Sequence, residues 1–197
     1  MLIIITGKTA SGKDTIKSAL LKKYPNLKTI ITTTSRAIRQ NELAEVDHRF
    51  LTRDEFESKI KAGEFAEYVQ YGGNLYGTQK KDLEEAKTED ALWRIDPSRG
   101  GEVRNFINRI FPANIADDLI KRVVVIYITS TTGVILQRLK NRGLSEIEIQ
   151  KRMNDDERIW DQYKNSYDFV IDNIPGQLEQ TINKVIQIIE SHQKSQR

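Results

Sequence analysis

The sequence predicts a three-layer α/β fold built on a parallel core sheet, and three observations carry this. Two apolar runs, LIII at residues 2–5 and VVVIYI at residues 123–128, have no charged interruption, the pattern of strands covered on both faces. Stretches with apolar residues at helical spacing alternate with such runs, which favours parallel strands joined by helices. The first run passes directly into GKTASGKDT, residues 7–15, and then into a helical pattern, giving strand, glycine loop and helix in succession. A chain of 197 residues is long enough for one domain with a core of its own.

Each element follows in order. After the strand at 2–5, Ile16, Leu20 and Leu21 mark a helix. A second strand is expected over 28–32, then a polar loop through Glu45 and a short helix over 53–61. GEFAEYVQYGGNLYGT, residues 63–78, alternates as two antiparallel strands with a turn at Gly72-Gly73-Asn74, and reads as an insertion. A helix over 78–87, a strand over 92–96 and a helix over 102–110 precede the apolar strand at 123–128 and a helix over 131–140. Residues 141–156 are strongly charged and suit a mobile helical hairpin. YDFVIDN, residues 167–173, makes the last strand, and Leu178, Ile182, Val185, Ile186 and Ile189 mark the last helix. The closing SHQKSQR reads as disordered, and there are no internal repeats.

Composition narrows the chemistry. The chain is 38% hydrophobic and 30% charged, and no apolar run approaches the ~18 residues of a membrane span. Met1 leads into the first strand without the basic preamble of a signal peptide, so a cytoplasmic location is expected. No cysteine is present, which excludes disulfides, thiolate catalysis and thiolate-bound zinc. The two histidines lie far apart in sequence, so a metal here would be oxygen-bound. With 31 basic and 28 acidic residues the formal charge is +3, too balanced to signal nucleic-acid binding. Arginines gather instead at Arg36/Arg39 and at Arg138/Arg142/Arg152, which suits small phosphorylated ligands. Composition thus points to small phosphorylated partners, which the glycine loop narrows to nucleotides, and not to nucleic acid or membrane, with the chain acting as a monomer or homodimer.

Gly7, Gly12 and Lys13 satisfy the first seven positions of the P-loop pattern G-x-x-x-x-G-K-[ST], in the strand-to-helix context that pattern requires. Backbone N–H groups at the helix start cradle phosphates there, and the lysine bridges the outer two. Gly7, Lys8, Thr9, Ala10, Ser11, Gly12, Lys13, Asp14 and Thr15 are thus the expected contacts to ATP. Asp14 stands where a hydroxyl residue normally reaches magnesium. Two readings stay open: the carboxylate manages the metal, directly or through water, or it is a first-turn helix residue and Thr15 supplies the hydroxyl.

TTTSRAIR, residues 32–39, and the stretch from VDHRF to GNLYGT, residues 46–78, closely resemble the nucleotide-monophosphate region of guanylate kinases. IDPSRG, LKNRG with KRM, and YDFVIDN fall in matching order, so the resemblance spans nearly the whole chain. It implies a P-loop NTPase fold with a parallel core sheet, a small nucleotide-monophosphate-binding (NMP-binding) insertion and a helical lid. The implied division is core at 1–32, 79–140 and 157–190, NMP-binding region at 33–78 and lid at 141–156. It also implies magnesium-dependent transfer of the ATP γ-phosphoryl group to GMP or dGMP. Glu67 would read the guanine, with Thr32 on the base, and Arg36, Arg39 and Tyr76 would hold the monophosphate. Gly77 and Thr78 belong to the same GMP-binding frame, and Asn173 would line the donor adenine. Lys13, Arg36, Arg142 and Arg152 would be the catalytic cations, and Asp14 and Asp96 the groups nearest the metal, with Asp96 also facing the acceptor.

Three positions depart from that family. Asp14 replaces the hydroxyl, His48 stands where a phosphate-binding tyrosine is usual, and Arg94 replaces the first acid of an acid-x-acid pair ending at Asp96. His48 can still donate to phosphate, more strongly when protonated. Ribose 1,5-bisphosphate phosphokinases share the fold and the lysine-aspartate loop, and resemble the chain at His48 and at SRG, residues 98–100. Phosphorylation of that sugar bisphosphate is one alternative. A catalytically degenerate, guanylate-kinase-like binding domain is another.

Overall fold

The computed structural model describes residues 1–40 and 42–195. Strand β1 (Leu2–Gly7) and helix α1 (Lys13–Lys23) flank the glycine loop, and α1 buries Ile16 and Leu20. Next come β2 (Lys28–Ile30) and, after Ile31 alone, β3 (Thr32–Thr34). The strand expected over 28–32 is therefore two strands in two different sheets. Strand β4 (His48–Phe50) pairs in parallel with β3. Helix α2 (Arg53–Lys61) opens with a capping box, in which the Thr52 and Glu55 side chains each accept the other's backbone N–H. Strands β5 (Phe65–Tyr71) and β6 (Asn74–Gln79) are the expected hairpin. Because Thr78 and Gln79 stay paired with β5, the helix expected from residue 78 shrinks to α3 (Lys80–Glu84) and a 3₁₀ turn, Glu85–Lys87.

Strand β7 (Ala91–Arg94) leads into α4 (Pro97–Gly101), α5 (Val103–Ile110) and α6 (Ala113–Lys121). Only α5 is legible beforehand: α4 is too short for a periodic signal, and α6 buries just Ala116 and Leu119. Strand β8 (Val123–Thr129), helices α7 (Thr132–Asn141) and α8 (Glu146–Tyr163), strand β9 (Phe169–Asp172) and helix α9 (Leu178–Ser195) complete the chain. Helix α8 starts at a second capping box, Ser145 with Glu148, and runs on past residue 156. Residues 191–195, expected to be disordered, continue α9, since no glycine or proline after Leu178 stops the helix. Gln196 and Arg197 lie outside the described residues.

The core sheet has the order β2-β7-β1-β8-β9, with every pair parallel. Side chains alternate across it and feed two cores. Leu2, Ile4, Val125 and Tyr127 pack with Phe106, Ile107 and Leu119 of α5 and α6. Ile3, Ile5, Val124 and Ile126 pack on the other face with Leu20 of α1 and with Val185 and Ile189 of α9. The sheet is thus the middle of three layers, and each fully buried aliphatic residue contributes about 1.5–3 kcal/mol of transfer free energy. The second sheet, β4-β3-β6-β5, is mixed and has its own small core of Phe56, Phe65 and Leu75. Among the described residues no helix is long and apolar enough to cross a membrane.

Candidate active site

A cleft of about 430 Å³ opens at the carboxyl ends of β1 and β7, between the second sheet and the α7–α8 hairpin. Open parallel sheets bind ligands at this end. Gly7 turns the chain out of β1 at φ +136°, and a Cβ there would lie 1.9 Å from the Ile128 carbonyl oxygen, so only glycine fits. Ala10 is held at φ 53°, and Arg138 secures it by donating to its carbonyl at 2.9 Å. Asn173 donates to the Ser11 carbonyl at 2.8 Å from behind the loop. Arg138, Asn173 and Lys8 support the loop without lining the cleft.

Lys13 Nζ donates to the Gly7 and Lys8 carbonyls at 2.8 and 2.5 Å. Burial, with the Arg94 charge added, pushes its ammonium down to about 8. The backbone N–H of Thr9 donates to Asp156 Oδ2 at 2.8 Å. Asp156 is buried, which pushes it up to about 6 against the pull of Thr9 and of Lys13. Asp14 forms an ion pair with Arg94, Nε to Oδ1 at 2.8 Å. The cleft wall strips part of the hydration from the Asp14 carboxyl and raises it, but Arg94, then Lys13, Lys17 and Arg142, prevail and hold it below its ordinary value.

At the other end, Arg36 is buried and gripped by Glu42 through two bonds, of 2.6 and 2.5 Å. That contact holds Glu42 down at about 2. Arg39 is exposed, with Nη1 3.9 Å from the same carboxylate. His48 sits behind Arg36, its Nδ1 2.7 Å from Thr32 Oγ1 and its ring 6.4 Å from that of Tyr76. Burial, then Arg94 and Arg36, push the imidazole down to about 4, so the protonated form considered for phosphate binding gives way to a neutral ring. Glu67 is buried, and desolvation lifts its carboxyl to about 8 although Thr78 and Arg99 oppose the shift. Thr78 is itself fully buried beneath the cleft and accepts from Trp93 Nε1 at 3.1 Å. Gly77 lies against β5, where a Cβ would meet the Glu67 carbonyl oxygen at 2.7 Å.

From the hairpin, Arg142 and Arg152 reach the cleft, and Arg152 donates to the Tyr71 hydroxyl at 3.2 Å. Asp96 caps α4, accepting from the Ser98 N–H and hydroxyl at 2.9 and 2.6 Å. Among the described residues no three carboxylate or imidazole groups converge to hold a metal unaided. A hard cation shared with nucleotide phosphates needs only one or two protein carboxylates. Asp14, in the first turn of α1 with its side chain 72% exposed, fits that demand; Asp96 is partly committed to its cap.

Besides the Asp14–Arg94 pair, two contacts escape the sequence reading. Glu42 on Arg36 and Asp156 on Thr9 are internal carboxylates seated on phosphate-type donors. Asp156 carries a faint signal, since it falls four residues after Arg152 and so on the same helix face.

A lysine-bearing glycine loop at the end of the central parallel strand, answered by arginines from two other parts of the chain, is the arrangement of a P-loop kinase. The guanylate kinase family profile matches residues 1–192, and the chain belongs to the guanylate kinase family, whose members are nucleoside monophosphate kinases. A guanylate kinase of Fusobacterium nucleatum is 34% identical, covering 96% of both chains. One of Symbiobacterium thermophilum is 31% identical over 88% of this chain and 77% of the relative. In structure, the chain is similar to a guanylate kinase from Anaplasma phagocytophilum, with a TM-score of 0.66 at 22% identity over 98% and 85% of the two chains. A deoxyadenosine kinase from M. mycoides shares the fold more distantly, at TM-score 0.51, 17% identity and coverage of 97% and 100%.

Proposed function

We propose that the chain transfers the γ-phosphoryl group of ATP to GMP, and to dGMP, with magnesium bound at the donor phosphates. The observation that carries the acceptor assignment is Glu67, a buried carboxyl lining the cleft on the second sheet. Guanine presents donors at N1 and N2 that a carboxylate accepts as a pair, and adenine has no such pair. Around it Thr32, Gly77 and Thr78 shape the base site. Arg36, Arg39, Tyr76 and His48 receive the monophosphate, with Arg36 exchanging Glu42 for the substrate dianion. The loop from Gly7 to Thr15 cradles ATP, and Asn173 steadies it.

Phosphoryl transfer depends on neutralising spread negative charge more than on a base. Lys13, Arg142 and Arg152 supply that neutralisation, Asp96 faces the acceptor, and Asp14 with Asp96 manages the metal. Magnesium, when bound, withdraws charge from the phosphate oxygens. Residues 1–31, 80–140 and 157–190 act as core, 141–156 as a lid whose closure excludes water, and 32–79 as the acceptor-binding region, one residue wider at each end than the expected 33–78 because Thr32 and Gln79 lie in the second sheet. On this reading the chain serves purine nucleotide metabolism in the cytoplasm.

Arg94 beside Asp14 favours one competing reading, a more highly charged sugar bisphosphate as acceptor. A coupled ADP-release assay with GMP, dGMP, AMP and ribose 1,5-bisphosphate offered in parallel decides between them. Turnover with GMP and dGMP is expected. Turnover with the sugar bisphosphate alone overturns the assignment, and a binding-only domain turns over none and holds ATP weakly.

A further inference from the structure

Asp14 and Arg94 both line the cleft, one from the glycine loop and one from the end of β7, and the fold joins them. Arg94 ends β7 opposite Ile5 of β1, which brings its side chain to the first turn of α1. Its Nε stands 2.8 Å from Asp14 Oδ1, and Nη2 donates to Oδ2 at 3.4 Å. Nε is buried without an aligned hydrogen-bond partner, while the Asp14 side chain is 72% exposed. The ion pair is open on the Asp14 side, where water and ligands can loosen it, and it leaves a buried Arg94 donor with its hydrogen bond unmade.

The position of Arg94 is central. Its charge disfavours protonation of Lys13, Lys17 and His48, so it is felt at the glycine loop, along α1 and on the second sheet. The pair also balances charge at the site. Asp14 adds −1 beside the phosphate loop and Arg94 adds +1, so the two together sum to 0. A bare carboxylate next to Lys13 would repel a triphosphate, and Arg94 is the group that cancels it.

We propose that Arg94 is a further catalytic residue and Asp14 its exchangeable partner: before nucleotide binds the two hold each other, and when ATP enters, Arg94 turns to the phosphates and leaves Asp14 to the magnesium ion. The inference rests on the ATP reading only in needing a triphosphate in this cleft, whatever the acceptor. It makes the magnesium requirement a property of the pair.

The test compares wild type, Asp14→Asn, Arg94→Gln and the double variant. ATP affinity is measured by calorimetry in EDTA and across a magnesium series, with urea unfolding to establish that each variant is folded. Arg94→Gln is expected to weaken metal-free ATP about tenfold and to lower the magnesium concentration at half-maximal ATP binding, because Asp14 is freed. Asp14→Asn is expected to tighten metal-free ATP and raise that magnesium midpoint. In the Asp14→Asn background, removing Arg94 should no longer move the midpoint. Arg94→Lys, which keeps the charge, should recover metal-free affinity to within about threefold of wild type. The proposal is overturned if Arg94→Gln leaves metal-free ATP within about twofold of wild type, or if the two single shifts in midpoint multiply in the double variant. Normal ATP binding without GMP turnover would sink the acceptor assignment and leave the pair standing.

Discussion

Glu67 carries opposite demands in one carboxyl. Burial favours its protonated form, up to about pH 8, whereas guanine's donors call for the ionised one. The KM for GMP should therefore fall as pH rises from 6.5 to 8.5, with kcat changing less. Glu67→Gln should raise that KM about tenfold or more, since an amide leaves one guanine donor unanswered; steady-state kinetics with GMP varied measures both effects, and an unchanged KM removes the residue from base recognition. Lys13→Met should lower kcat by about 10²–10³ in single-turnover assays, because Lys8, the other ammonium of the loop, does not line the cleft. Legibility at this scale follows sequence distance. Lys13 and Glu67 stand in local motifs, whereas Thr9 meets Asp156 across 147 residues and Arg94 meets Asp14 across 80. No short pattern announces such pairings.

Among the elements, those with a signal of their own were legible and those shaped by neighbours were not. β1 and β8 are apolar throughout because helices cover both faces of the sheet, and α2 fits its expected bounds of 53–61. The strand over 28–32 reads as one run, yet breaks at Ile31 because β2 pairs with β7 and β3 with β6. That choice lies in tertiary pairing, which propensity does not report. Ser145→Ala removes the capping box of α8, which carries Arg152 and Asp156. The expected loss is about 1 kcal/mol in urea unfolding, with a higher KM for ATP if the helix start frays. Gly77→Ala should cost more, about 2 kcal/mol or above, because its Cβ meets backbone at 2.7 Å and β5 must shift away.

For the whole molecule, the buried titrating groups set how stability varies with pH. Glu67 is raised from 4.5 to about 8, so its contribution is full below pH 4.5 and is lost as pH climbs to 8. His48 is lowered from 6.5 to about 4, so its contribution is full above pH 6.5 and is lost as pH falls to 4. Asp156, raised from 3.8 to about 6, adds to the Glu67 slope only below pH 6. Lys13, lowered from 10.5 to about 8, reverses the trend above pH 8. Between pH 6.5 and 8 the Glu67 slope is opposed by that of the Met1 ammonium, which burial holds below its ordinary value of 8.0. The melting temperature of wild type should fall relative to that of Glu67→Gln across that window, which calorimetric scans of both at several pH values will read.

The break at Ile31 has one more consequence. The backbone enters the second sheet there and leaves it at Gln79, and Gln79 Nε2 bonds Thr33 Oγ1 at 3.1 Å, so the two crossings run side by side. A strap two strands wide is a pivot with one easy axis. A substitution that stiffens it is expected to slow product escape more than it changes affinity for either nucleotide, so a screen that reads binding alone would pass over it.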